Sequence, residues 1–267
     1  MLLDPLHFAP IFIPLAGSTA GYVRLPGNPG DGMIELATFQ LARRFGVRLV
    51  PAIVELARRE VRTSERCDLL LLAGGGSMGD ATPYRHNYEI RDLVRQLSLD
   101  SIVLPQSFVG PESGSETHAR VYVREAASLE HCPHGILAPD LALGYTPSND
   151  PRRAPPKADC LVACRDGIEG LFATDDVRDP VRGYPMLGQA DTQLIVDDYL
   201  RAAAAHERLV TDRLHFAIAG LIGGRHVTLL PNNYHKNRSM HETWLRHLGC
   251  HWADAPRQAT NDIRATV

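Results

Sequence analysis

The chain has 267 residues, of which 44% are hydrophobic and 22% charged, with a formal net charge of −3 and an isoelectric point near 6.4. This is the composition of a globular protein large enough for one sizeable α/β domain or two modest ones. The slightly acidic balance excludes nucleic-acid binding driven by bulk charge, so no nucleic-acid partner is expected.

Residues 1–16 are apolar but contain Asp4, His7 and three prolines. They lack a basic start and a run of about 20 apolar residues, so neither a signal peptide nor a membrane helix is expected. The chain is assigned to the cytoplasm, with peripheral contact at the inner face of a membrane left open. Residues 11–15 read as a first strand. Residues 31–45 read as a helix, with Ile34, Ala37, Leu41 and Phe45 at helical spacing, and 47–50 as a second strand. Residues 68–73 form an apolar strand that runs into a glycine-rich loop. A helix follows at 87–97, with strands at 101–105 and 120–124. Continuous apolar strands separated by helices predict parallel sheets covered on both faces.

The texture changes at 146–157, Thr-Pro-Ser-Asn-Asp-Pro-Arg-Arg-Ala-Pro-Pro-Lys, where proline removes backbone donors and blocks helix. A linker is expected at 148–157. Alternation then resumes, with strands at 161–164, 208–211 and 227–230 and helices at 192–205, 214–222 and 241–248. The expected fold is α/β: two Rossmann-like domains, 1–147 and 158–255, with parallel sheets and an interdomain cleft lined by the carboxyl ends of the strands. Residues 256–267 are polar and expected to fray.

The densest chemistry lies at Thr211-Asp-Arg-Leu-His215, where a strand meets the start of a helix. Unpaired amides and the positive end of the helix dipole favour an anion there. Arg213 adds a fork suited to carboxylate or phosphate, and His215 a group able to move a proton. A structural cap is the plainer role for His215; the adjacent arginine and the glycine loops on comparable strand ends favour catalysis.

Gly74, Gly76 and Gly79 satisfy the spacing of a dinucleotide fingerprint, but Pro83 follows where a helix should run. A loop whose amides at Gly75, Gly76 and Ser77 approach a ligand is the better reading, with a ligand-free tight turn as the alternative. A second glycine loop precedes the first long helix. There Asn28 and Asp31 either bind hydroxyl groups or, for Asp31, cap the helix. Gln106 and Ser107 leave a strand at its carboxyl edge. Arg124 also ends a strand, as an ion-pair partner of Glu125 or as a second cation for a ligand.

Five scattered cysteines, Cys67, Cys132, Cys160, Cys164 and Cys250, without a C-x-x-C pair, read as reduced thiols. Cys160 and Cys164 are four apart, but the apolar run between them fits a buried strand better than a metal pair. Only His247 and His251 have helical i, i+4 spacing, and no carboxylate completes a set, so no metal site is expected.

Taken together, these segments resemble the polysaccharide pyruvyl transferase family. The matching pieces are Gly27-Asn-Pro-Gly-Asp31, Leu71-Leu-Ala-Gly-Gly-Gly-Ser77, Leu104-Pro-Gln-Ser107, Val123-Arg-Glu-Ala-Ala-Ser128 and Pro139-Asp140. Thr211-Asp-Arg-Leu-His215, Asn232-Asn-Tyr-His-Lys-Asn-Arg238 and Glu242-Thr-Trp-Leu245 complete the order. The resemblance implies a GT-B-like arrangement, with the N-terminal domain on the acceptor side and the C-terminal domain on the donor side. It implies transfer of pyruvate from phosphoenolpyruvate, without a cofactor, to a sugar or lipid-linked oligosaccharide of an exopolysaccharide or capsule. On this reading Arg213 and His215 are catalytic. Arg213, Arg124, Lys236, Gly75, Gly76 and Ser77 bind the donor, and Asn28, Asp31 and Gln106 bind the acceptor. Homo-oligomerisation is left open. Two rivals remain at this stage: a nucleotide-sugar glycosyltransferase of GT-B type, and a non-catalytic glycan-binding relative.

Overall fold

The computed structural model describes residues 1–172 and 179–258. The chain divides into two compact units, one of Leu3–Pro26 and Ile34–Tyr145, the other of Met1–Leu2, Gly27–Met33 and Thr146–Val267. The division passes through a helix, so the glycine loop at Gly27 and the first turn after it count with the C-terminal unit.

The N-terminal unit begins with one helical turn, α1 (Ala9–Phe12), flanked by 3-10 turns. The strand expected at 11–15 is therefore helical. Phe8, Ile11, Phe12 and Leu15 are buried while Ile13 is exposed, which is helical rather than alternating spacing. Pro5, Pro10 and Pro14 stand at the first positions of successive short turns, where a missing N–H costs little. The first strand is instead β1 (Thr19–Val23), followed by α2 (Pro29–Arg44), β2 (Arg48–Glu55), β3 (Glu60–Thr63), β4 (Leu69–Leu72) and β5 (Gly75–Met78). Then come α3 (Arg85–Gln96), β6 (Ser101–Phe108), β7 (Arg120–Val123) and β8 (Ile136–Leu137). The strand order is β3-β2-β1-β4-β6-β7-β8, with β5 also paired to β6. Every pairing is parallel except the edge hairpin β2–β3. All eight residues of β6 are buried, as a central parallel strand requires.

The C-terminal unit holds β9 (Ala158–Ala163), α4 (Thr192–Ala204), β10 (His206–Thr211), α5 (Leu214–Ile222), β11 (His226–Leu229), α6 (Lys236–Thr243) and β12 (His251–Trp252). Its four strands run parallel in the order β12-β11-β10-β9. The helix expected at 241–248 starts earlier, at Lys236, and ends at Thr243, with a 3-10 turn at Leu245–Leu248. Cys164 lies in a core cluster with Val210, Leu230 and Ala253, against which Cys160 packs, as the core reading anticipates. A Cβ at Gly220 would stand 2.8 Å from Leu209 and 2.9 Å from Val227, so α5 lies directly on β10 and β11. Within 148–157 a 3-10 turn forms at Pro151–Arg153, and Arg225 donates to the Ala154 carbonyl at 2.8 Å. Of the tail expected to fray, 259–267 lies outside the described residues.

Among the described residues, no helix is long and apolar enough to cross a membrane, and no group of three His, Cys, Asp or Glu could hold a metal ion.

Candidate functional site

The carboxyl end of β10 turns into α5 through Thr211, Asp212 and Arg213. Thr211 is fully buried; its hydroxyl donates to the Ala163 carbonyl at 2.5 Å and accepts from the Arg213 N–H at 3.1 Å. That ties the ends of β9 and β10 together and starts the helix. Asp212 is 1% exposed and accepts from the Arg165 N–H at 2.8 Å. Buried Asn237 of α6 donates to the carbonyls of Asp212 at 2.7 Å and Leu230 at 2.9 Å. The turn is thus pinned from β9 and from α6.

Arg213 holds Asp179 through both Nε, at 2.9 Å, and Nη2. Asp179 also accepts from the N–H groups of Asp166 and Val181, each at 3.1 Å. Burial alone would raise the Asp179 pKa, but the bidentate guanidinium and the backbone donors hold it below the ordinary carboxylate value. Lys236, at the start of α6, donates to Glu169, which also takes Arg165, and its ammonium stands 4.9 Å from the centre of the Tyr234 ring. Arg165, Glu169 and Asp179 do not figure in the sequence reading, and no local pattern in the sequence marks them.

Every residue of α5 is buried except His215, which is half-buried. Its ring lies against Gly30: a Cβ there would fall 2.5 Å from Cβ of His215 and 2.7 Å from Cγ. Gly30 follows a reciprocal helix cap. The Asn28 side chain accepts from the Gly30 N–H at 2.9 Å, and the Asp31 carboxylate accepts from the Asn28 N–H at 2.8 Å. The cap is therefore Asn28, with Asp31 three residues on as its partner. The structure thus brings Arg213, His215, Lys236, Asn28 and Asp31 into the same unit.

Gly75, Gly76, Ser77, Gln106 and Arg124 belong to the N-terminal unit, where the secondary structure differs from the expected loop. The expected glycine loop is the strand β5, whose glycines let its backbone run close to its neighbours. A Cβ at Gly79, φ +100°, would strike the carbonyls of Val109 and Gly110. Two amides of this stretch are taken internally: Ser77 N–H donates to Gln106 Oε1 and Gly79 N–H to Glu112 Oε2, both at 3.0 Å. Arg91, fully buried, grips the same Glu112 through Nε at 2.9 Å and Nη2 at 2.6 Å. Gln106 is fully buried and donates onward to the Ala73 carbonyl at 2.7 Å. Arg124, 1% exposed, spends its guanidinium on Ser107 at 2.7 Å and Asp140 at 2.8 Å. These three side chains brace strand ends, which is why polar residues at strand ends look alike in sequence whether they face a ligand or one another.

The C-terminal unit is thus a parallel α/β sheet with an arginine–carboxylate pair and an imidazole at a strand-to-helix turn. The chain belongs to the polysaccharide pyruvyl transferase family, whose model matches residues 28–234. Membership makes it a transferase, and pyruvyl transfer to polysaccharide is the activity that family points to. Among curated proteins nothing matches. An uncharacterised protein from Klebsiella pneumoniae subsp. pneumoniae NTUH-K2044 has a similar crystal structure: 20% identity, a TM-score of 0.73, and coverage of 89% of this chain and 93% of that one. That likeness concerns the fold.

Proposed function

We propose that the chain is a ketal pyruvyltransferase that moves pyruvate from phosphoenolpyruvate onto a sugar of a bacterial exopolysaccharide or capsule precursor, releasing phosphate. The observation that carries this reading is the bidentate grip of Arg213 on a carboxylate at the amino end of α5, two residues before the least buried position of that helix. A planar carboxylate is what phosphoenolpyruvate presents, and the same turn offers helix amides to its phosphate.

In the proposed reaction His215 delivers a proton to the vinyl carbon, and the central carbon becomes electrophilic. One sugar hydroxyl forms the first C–O bond, phosphate leaves, and a second hydroxyl closes the ring. Of the two hydroxyl protons lost, one replaces that given by His215 and the other leaves with phosphate. Arg213 and Lys236 hold the donor's acidic groups, and Asn28 and Asp31 place Gly30 behind the imidazole. Arg124, Gln106 and Ser77 support the N-terminal sheet in this scheme. No cofactor takes part. The acceptor is a sugar or a lipid-linked oligosaccharide.

Thermal-shift measurements with phosphoenolpyruvate and with a panel of nucleotide sugars test the donor. Stabilisation by phosphoenolpyruvate, with phosphate released only when a glycan acceptor is added, is expected. Stabilisation by a UDP- or GDP-sugar alone would replace this reading with a glycosyltransferase.

A further inference from the structure

We propose that Asp212 is the charge-compensating group of the donor site: when the multiply charged donor settles on Arg213, the Asp212 carboxylate takes a proton from solvent and becomes neutral. The inference rests on the reading of Arg213 as the donor's cation and adds a proton-coupled step to it.

Among the described residues, the linked ionic set around the β10–α5 turn holds three cations, Arg165, Arg213 and Lys236, and three carboxylates, Glu169, Asp179 and Asp212. The set is neutral as it stands, and a protonated His215 adds one positive charge, so a donor bearing a carboxylate and a phosphate still brings uncompensated negative charge into a largely buried site. Such a cost is met by neutralising the carboxylate least able to remain ionised.

The three carboxylates differ in how they are held. Asp179 accepts two bonds from Arg213 and two from backbone N–H groups. Glu169 takes both Arg165 and Lys236. Asp212 accepts one N–H, from Arg165, through Oδ1, and its Oδ2 is buried without a hydrogen-bond partner. It is therefore the member of the set whose ionised form is worst satisfied and whose protonated form loses least. Burial first, then the neighbouring Asp179 charge, raise its pKa to about 6, against the opposing pull of the Arg165 N–H and the charges of Arg165 and Arg213. Cys164, at the end of β9, is the other titratable neighbour. Burial and the Asp212 charge push its thiol up to about 12, so it keeps its proton throughout. From α6, Asn237 holds the Asp212 carbonyl, and Lys236 pairs with Glu169. A bound anion adds like charge beside Asp212 and moves its titration above neutral pH. Asp212 is a positioning residue in this scheme: its proton removes a negative charge from beside Arg213 as the donor settles.

Calorimetric titration of the full chain with phosphoenolpyruvate at pH 7, in two buffers of different ionisation heat, counts the protons exchanged. Wild type is expected to take up roughly one proton more per donor bound than Asp212→Asn. The variant keeps an oxygen for the Arg165 N–H. Infrared difference spectra of wild type provide a second measurement that needs no variant. With phosphoenolpyruvate isotope-labelled at its own carboxylate, binding should bring up an unlabelled protonated-carboxyl band. Donor binding with equal proton counts in the two proteins, or without that band, would overturn the inference and leave the donor assignment standing. No binding heat with phosphoenolpyruvate would overturn both.

Discussion

At the residue scale, His215 is the one residue of α5 that is not buried. His215→Ala should therefore leave the fold intact while lowering acceptor-dependent phosphate release by about 10²–10⁴-fold, the range for a lost general acid or base. A variant that melts at the wild-type temperature and retains full turnover would remove the imidazole from the reaction. Gly30 tests the same ring from the other side. A methyl group at that position meets the His215 Cβ and ring far inside van der Waals contact, so Gly30→Ala should cost on the order of 1–3 kcal/mol and displace the imidazole. Urea unfolding and phosphate release should fall together. Thr211-Asp-Arg-Leu-His215 was legible because a strand ending in polar residues and resuming as a helix is a local pattern. Asp179 and Glu169 were not legible, since an acidic side chain in a loop carries no mark of the cation it will meet.

At the element scale, helix termini and buried pairs decide how the sequence is realised. Asn28 and Asp31 form a reciprocal cap at the start of α2, and removing the Asn28 side chain should destabilise the protein by about 1 kcal/mol. A chemical-denaturation midpoint unchanged in Asn28→Ala would mean that the tertiary contacts alone hold this end. Arg91 and Glu112, both with fully buried side chains, join α3 to the segment after β6 and to the Ser77 and Gly79 region of β5. Breaking that pair strands a charge, so Glu112→Ala should cost roughly 3–5 kcal/mol, far more than an exposed ion pair. The helix 214–222 was read to the residue because its apolar run is bounded by Arg213 and a glycine. The strand expected at 11–15 was misread because short apolar runs carry no decisive period, and only the packing of Phe8, Ile11, Phe12 and Leu15 revealed a helical face. The glycine run after β4 was misread for a related reason. Glycine marks close backbone approach, whether the partner is a ligand or, as here, a neighbouring strand.

For the molecule as a whole, two buried titratable groups tilt stability with pH in opposite directions. Burial first, then the Arg95 charge, lower His118 to about 4, so the unfolded chain binds more protons between about 6.5 and 4. Stability from that group is lost as pH falls through this window. Asp212, raised to about 6, makes the folded chain the better proton binder between 3.8 and about 6, so ionising it costs stability as pH rises through that range. The cost is on the order of 3 kcal/mol. Asp212→Asn should therefore gain on wild type in unfolding free energy at pH 8 relative to pH 5. An equal difference at both pH values would show that Asp212 is not held in a charge-averse site. The sequence alone determined the α/β alternation, the strand-to-helix turn bearing Arg213 and His215, and the family order of motifs, because apolar period, capping and turn chemistry act over a few residues. Only the tertiary structure decided which carboxylates face which cations and which polar strand ends are spent inside the sheet. Arg213 meets Asp179 across 34 positions and Lys236 meets Glu169 across 67, and pairings at such separations are chosen by packing and charge compensation after the chain has folded.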